Sequence, residues 1–246
     1  MKNIFIDPGH GGGSIGASYK GRKEQDDCLR LARAVRDILL TQEDISVKMS
    51  REDDTNPSIT NRCAQANLWG ADYFLSIHRN AFEPNKANGV EAWVYSKVAV
   101  GGETYNMADN IVNRICESTP FADRGTKLGA PSYGDYGVNR LTKMSSCLLE
   151  VGFIDSDSDN AIFDGYFAEI ALAIAKAVME NVGREYKPPV IKGDVDGDGK
   201  VTASDARLIL RASVGLENLD IETADVDGDG KITASDAREA LRTAVK

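Results

Sequence analysis

Two stretches of this chain carry nearly the same sequence. Residues 194–207 read Asp-Val-Asp-Gly-Asp-Gly-Lys-Val-Thr-Ala-Ser-Asp-Ala-Arg. Residues 225–238 repeat those 14 residues at an offset of 31, with Ile232 in place of Val201. A repeat this close marks a duplicated structural unit. Each copy sets aspartates at loop positions 1, 3, 5 and 12 and glycine at position 6. These are Asp194, Asp196, Asp198, Asp205 and Gly199 in the first, and Asp225, Asp227, Asp229, Asp236 and Gly230 in the second. Ca²⁺ takes about six to eight hard oxygen ligands; alternating carboxylates in a tight loop supply them, and the glycine permits the sharp turn. Lys200 and Lys231, at position 7, contribute backbone carbonyls, so their side-chain charge is irrelevant to ligation; Thr202 and Thr233 sit at position 9. The spacing predicts two structural calcium ions rather than two solvated acidic turns, because the full pattern occurs twice.

A helix is expected after each loop, beginning near Ser204 and Ser235. None precedes the first loop, since Pro188-Pro189 lies just upstream. A standard EF-hand has helices on both sides and usually Glu at position 12. The loop-helix form with Asp at position 12 resembles the type I dockerin domain over Gly193–Lys246. That resemblance implies a calcium-dependent docking module with two near-equivalent faces and a cohesin-type partner. The partner contacts it implies are Ala203, Ser204, Leu210 and Arg211, with Ala234, Ser235, Leu241 and Arg242 as their symmetry mates. Self-association, or simple folding of a C-terminal stalk, is the competing role.

Upstream of the repeat, apolar runs alternate with helical patterns. Strands are expected at Lys2–Ile6, Ile45–Met49, Tyr73–Ile77, Val90–Tyr95, Val138–Leu141 and Cys147–Val151. Helices are expected at Glu24–Leu40, Ser58–Trp69, Tyr105–Ser118 and Tyr166–Val182. This alternation predicts an α/β fold, an αβα sandwich around a mostly parallel mixed sheet, followed by a small all-α loop-helix calcium-binding domain. The expected divisions are a first domain at 1–183, a Pro-Pro linker at 184–192 and the tail at 193–246. A net charge of −9 argues against nucleic acid or anionic lipid as partners. No stretch approaches the roughly 20 apolar residues of a membrane-spanning helix. The four cysteines are widely spaced and form no CxxC pair, which predicts buried free thiols.

Two histidines stand in the whole chain, and each closes an apolar strand-like run: Ile4–His10 and Tyr73–His78. Strand ends are where parallel α/β sheets place catalytic groups, and histidine is the commonest metal ligand. Catalytic zinc usually adds a third protein ligand and keeps one position open. The third candidate is Glu24, which opens the first long helix after a glycine-rich loop of 13 residues that can fold it back toward His10. Asp26 and Asp27 are nearby alternatives that read better as helix-start acids. Glu150 ends the apolar run Cys147-Leu148-Leu149-Glu150. A carboxylate there is costly to bury unless it is paired, metal-linked or functional.

Asp7-Pro8-Gly9-His10-Gly11-Gly12, Glu24, Ser76-Ile77-His78-Arg79-Asn80-Ala81 and Glu150-Val151-Gly152-Phe153-Ile154 resemble, in order, the zinc-dependent N-acetylmuramoyl-L-alanine amidases of the amidase-3 family. Gly89-Val90-Glu91 matches a further family run, while Asp155-Ser156-Asp157 departs from the family's Asn-containing turn. The resemblance covers about Met1–Val182. It implies one zinc ion on His10, Glu24 and His78, Glu150 as the catalytic base, and peptidoglycan as the substrate. Arg79, Asn80 and Arg140 are candidate substrate or oxyanion contacts, surface charge pairs being the plainer reading of the arginines. Met1-Lys2 runs straight into a strand, with no secretory h-region or cleavage site. This predicts synthesis in the cytoplasm and action at the bacterial cell wall, in the manner of an endolysin, or secretion if a leader has been trimmed. The alternatives are a secreted, cohesin-anchored wall-remodelling amidase, an endolysin whose tail drives oligomerisation, and a catalytically silent wall-binding module.

Overall fold

The structure is a computed structural model that describes residues 1–131 and 134–245. Lys246, the last residue of the expected tail module, lies outside them. The chain divides into two compact units, Met1–Lys187 and Pro188–Lys246.

In the first unit the order is β1 (Lys2–Pro8), β2 (Ser18–Tyr19), β3 (Arg22–Lys23), α1 (Glu24–Leu39), β4 (Ile45–Met49), α2 (Ile59–Trp69), β5 (Tyr73–Asn80), β6 (Val90–Val94), α3 (Glu103–Ser118), β7 (Asp123–Leu128), α4 (Gly137–Leu141), β8 (Ser145–Phe153), α5 (Asp157–Gly165) and α6 (Phe167–Asn181). Six strands form one sheet in the order β4-β1-β5-β8-β6-β7. All its pairs are parallel except β6 with β8.

Side chains alternate between the faces of each strand, so each face has its own apolar layer. Ile4 and Ile6 of β1, Leu75 of β5 and Leu149 of β8 pack with the buried faces of α1, α3 and α6. Phe5, Phe74 and Leu148 face the other way, onto Cys63 and Ala66 of α2 and Val138 of α4. The unit is therefore an αβα sandwich. Parity carries upward along the second face: Phe74, Ser76 and His78 share it on β5, as do Leu148 and Glu150 on β8. The functional candidates thus stand on the α2 and α4 side, at the carboxyl ends of β1, β5 and β8.

Three elements depart from the expected series. Val138–Leu141 is α4, a short helix, not a strand; the N–H groups of Asn139 and Arg140 both bond the Tyr136 carbonyl. Tyr166–Val182 is preceded by a separate helix, α5, capped by Ser156, whose hydroxyl accepts from the Asp159 N–H. Strand β7 is polar and half exposed along its length, as an edge strand allows. Residues 184–187, expected as linker, dock on the first unit: Gln42 exchanges two 2.8 Å hydrogen bonds with the Lys187 backbone.

The second unit contains α7 (Ala203–Ala212), α8 (Ile221–Ala224) and α9 (Ala234–Ala244). Each loop hands over to its helix through a capping box, Thr202 with Asp205 and Thr233 with Asp236. The buried apolar residues described there are Ala206, Ile209, Ala224, Ala237 and Ala240. The four cysteines are free thiols. Among the described residues, no helix is long and apolar enough to cross a membrane.

Candidate metal centre and catalytic cleft

His10 lies two residues beyond the end of β1, in a left-handed backbone conformation (φ 59°) that is uncommon outside glycine. Two buried arginines hold it there. Arg62 of α2 donates to the carbonyls of Pro8 and His10, both at 2.7 Å. Arg51 donates to those of Pro8 at 3.1 Å and Gly9 at 2.8 Å. Asp7, itself buried, accepts from Arg62 at 2.7 Å and from the hydroxyls of Ser50 and Ser76. This network, rather than local propensity, fixes the unusual turn. Sequence reading passed over Arg62 and Arg51, because a lone arginine on a helix or after a strand looks like a solvated charge.

The glycine-rich loop folds back as anticipated. The N–H groups of Glu24 and Gln25, at the start of α1, bond the carbonyls of Ala17 and Ile15. Glu24 thereby enters the cleft, buried, between the two imidazoles. Its Oε2 lies 3.1 Å from His10 Nε2 and its Oε1 lies 2.8 Å from His78 Nδ1. The two rings meet edge to face at 4.9 Å. Ser14 Oγ, 3.3 Å from His10 Nδ1, leaves Nε2 as the inward nitrogen. Two glycines make the approach feasible. A Cβ on Gly9 would stand 2.4 Å from the His78 ring, and one on Gly16 would stand 2.4 Å from Glu24 Oε2.

One ligand atom from each of His10, Glu24 and His78 falls within a 4.8 Å group. Two nitrogens and a carboxylate oxygen at this spacing suit tetrahedral zinc, whose ligand atoms stand roughly 3.3 Å apart for bonds of about 2.0–2.1 Å. Burial alone would raise the Glu24 carboxyl, but hydrogen bonds from both histidines outweigh it and hold the group well below the usual carboxylate range.

Glu150 stands beside this group, paired in register with His78 on one side and Glu91 on the other. It is buried, and its Oε2 has no hydrogen-bond partner among the described residues. Burial, followed by the negative charges of Glu24 and Glu91, pushes its carboxyl well above the usual range. All four groups line one cleft of about 600 Å³, together with Asn56–Ile59, Asn80, Ala81 and Tyr136–Val138.

The three predicted substrate contacts part company. Asn80 lines the cleft. Arg79 also borders the cleft, but its side chain is engaged elsewhere, and the expectation of a side-chain contact is corrected. Its guanidinium is buried against Asp27 at 2.6 Å and Asn160 at 2.8 Å, over the ring of Phe163. It follows His78 on a strand, so it faces the opposite layer. Burial lowers it to about 10. Asp27, expected as a helix-start acid, is its buried partner. Arg140 is exposed on α4 and is not among the residues lining the cleft.

In the second unit, oxygens of Asp194, Asp196 and Asp205 fall within one 4.8 Å group, and those of Asp225, Asp227 and Asp229 within another. Asp198 and Asp236 are not in those groups. Asp198 accepts from the Lys200 N–H at 2.9 Å, as Asp229 does from Lys231. Donor sets of carboxylate oxygen alone suit a hard cation. Ala203, Ser204, Leu210 and Arg211 are exposed, as are Ala234, Leu241 and Arg242, while Ser235 is half-buried.

The family model for N-acetylmuramoyl-L-alanine amidases, amidase-3, matches residues 4–180. The chain belongs to the amidase-3 family. A type I dockerin model matches residues 192–240. Among curated amidases, CwlM of Bacillus licheniformis is 41% identical over 160 residues, 65% of this chain and 59% of that one. An endolysin of Bacillus phage SPP1 is 32% identical over 185 residues, 73% of this chain and 65% of the endolysin. The chain thus spans about three-fifths of the length of the curated amidase relatives it matches. Of solved amidase-3 folds, an N-acetylmuramoyl-L-alanine amidase from Clostridium difficile 630 superposes with a TM-score of 0.67 at 32% identity. That match covers 74% of this chain and 97% of that one. The catalytic domain of CwlV from Bacillus (Paenibacillus) polymyxa var. colistinus gives 0.67 at 28% identity, over 75% of this chain and all of that one. The family's fold is the αβα sandwich described above.

Proposed function

We propose that the first unit is a zinc-dependent hydrolase that cleaves the amide between the lactyl group of N-acetylmuramic acid and L-alanine in peptidoglycan. The observation that carries this reading is the convergence of His10, Glu24 and His78, in one cleft, beside a buried Glu150 whose Oε2 has no hydrogen-bond partner among the described residues. Zinc held by the three ligands supplies Lewis acidity, lowering the pKa of water and polarising a carbonyl. Glu150 takes the proton of the attacking water and delivers it to the leaving amine of L-alanine. A carboxyl group pushed upward by burial is suited to both halves of that transfer. Asn80 commits one N–H to Glu91. An amide nitrogen has two hydrogens, and the second is offered to the substrate at the cleft wall.

The second unit, in the same proposal, is a docking module whose two aspartate loops each hold one structural calcium ion. The ligands are Asp194, Asp196, Asp198, Asp205 and the Lys200 carbonyl in one loop, and Asp225, Asp227, Asp229, Asp236 and the Lys231 carbonyl in the other. Exposed Leu210 and Leu241, at equivalent places on α7 and α9, support a protein partner of the cohesin type. The site of action is the bacterial cell wall. Two experiments test the proposal. Purified walls should release free L-alanyl amino groups only when zinc is present, and release insensitive to zinc removal would refute the first part. A pull-down from source cells should recover a partner only with Ca²⁺; recovery without Ca²⁺ would refute the second.

A further inference from the structure

Glu91 is a buried acid that takes no proton and touches no reacting atom in the mechanism above, and four donors converge on it. Its Oε1 accepts from Asn80 Nδ2 at 3.0 Å and from Trp93 Nε1 at 2.9 Å. Its Oε2 accepts from Arg124 Nε at 2.6 Å and from Lys127 Nζ. Burial would raise its carboxyl, but the bonds from Lys127 and Arg124 outweigh that and keep it low. An ion cluster of this kind at a sheet edge is ordinarily structural. One of its contacts is not ordinary. Asn80 belongs to β5 and Glu91 to β6, and these strands are not neighbours, because β8 runs between them. The Asn80–Glu91 hydrogen bond therefore crosses over β8. It does so beside Glu150, the residue paired with Glu91 in register. The crossing becomes possible where the β5–β8 register shifts between His78 and Asn80. The Asn80 amide is gripped at both ends, since its Oδ1 accepts from the Ala81 N–H at 2.8 Å. Side-chain rotation of Asn80 would break both bonds.

We propose that Glu91 is a positioning residue for the hydrolysis. Anchored by Arg124 and Lys127, it reaches across β8 to fix the Asn80 amide at the cleft wall beside Glu150, with one N–H directed at the substrate. The proposal rests on the amidase reading of the cleft. Its distinguishing consequence is that the loss on changing Glu91 passes chiefly through Asn80, its charge beside Glu150 adding less than the burial of that group does.

The test is a double-mutant cycle in the full chain, with a soluble N-acetylmuramoyl-L-alanyl peptide as substrate and zinc content and thermal midpoint recorded for each variant. Glu91→Gln and Asn80→Ala should each lower kcat by about tenfold or more, with KM within about twofold and zinc content unchanged. The double variant should stay within about twofold of Asn80→Ala alone, because the second change removes a support whose load is already gone. A double variant lower than that, a Glu91→Gln enzyme with unchanged kcat, or a loss confined to KM would overturn the proposal. If Glu91→Gln does not accumulate folded, Glu91→Asp takes its place in the cycle; it keeps the charge but is one methylene short of Asn80. A wild-type chain that releases no L-alanyl amine overturns the amidase reading and this one together. An active wild type with additive losses overturns this one alone.

Discussion

The two units organise their candidate metal ligands in opposite ways. In the first, the ligands come from residues 10, 24 and 78, carried by three different elements and held by a large core of Ile, Leu, Val and Phe. In the second, each set comes from a single loop, and the buried apolar residues beneath both loops are four alanines and Ile209. Apolar burial scales with side-chain size, at about 0.8 kcal/mol per buried CH₂, so alanines contribute little. The lesson concerns which way support flows. In the first unit the fold holds the ligands in place, and metal adds chemistry. In the second, on the proposed reading, the ligands would hold the fold, and binding free energy would be folding free energy.

The comparison can be broken most forcefully by removing each metal in turn. Stripping zinc, or changing His78→Ala, should abolish wall hydrolysis while the far-ultraviolet circular dichroism of the first unit persists. Collapse of that unit on zinc loss would erase the contrast. Chelating Ca²⁺ should expose residues 188–246 to protease and melt α7 and α9, with hydrolysis by the first unit kept within about twofold. Unchanged proteolysis of the tail would contradict the account.

Smaller effects sharpen the same contrast. Gly9→Ala places a methyl group against the His78 ring and should weaken zinc affinity about 10- to 100-fold, as changes behind a metal ligand do; a competition titration with a chromophoric chelator reads it. Unchanged affinity would mean that the ring is free to move aside. In the tail, burial would raise Asp205 and Asp236, but bonds from the threonine caps and loop N–H groups outweigh it and hold both low. Groups depressed in the folded state stabilise it above the ordinary aspartate range, near pH ~4, and that contribution fades as pH falls toward their folded values. Acid should therefore destabilise the folded, calcium-loaded tail progressively below pH ~4. A tail equally stable across that window would overturn the assignment.

The same difference governs how much was legible. The aspartate loops could be read from spacing alone, since every proposed ligand lies within one 12-position pattern. The first unit's group was legible only in part: strand ends drew attention to His10 and His78, and a glycine loop to Glu24, but nothing in spacing joins them. Glu150 stood out as a carboxylate in an apolar strand. The misread residues have physical reasons. Val138–Leu141 is too short for periodicity to separate strand from helix. Strand β7 is polar because an edge strand faces water. Arg79 was within reach of sequence reasoning, because the residue after a cleft-facing His78 on a strand must face the opposite layer. Arg62, Arg51 and Glu91 gave no such cue, since their roles come from backbone carbonyls and side chains distant in sequence.

The claim at the centre is that Glu150 is the base beside a zinc ion held by His10, Glu24 and His78. Glu150→Gln preserves shape and removes the proton acceptor. The account predicts that this variant retains one zinc ion per chain and loses about 10²- to 10⁴-fold in release of L-alanyl amine from purified walls. A Glu150→Gln chain that binds zinc and hydrolyses walls at the wild-type rate would contradict it.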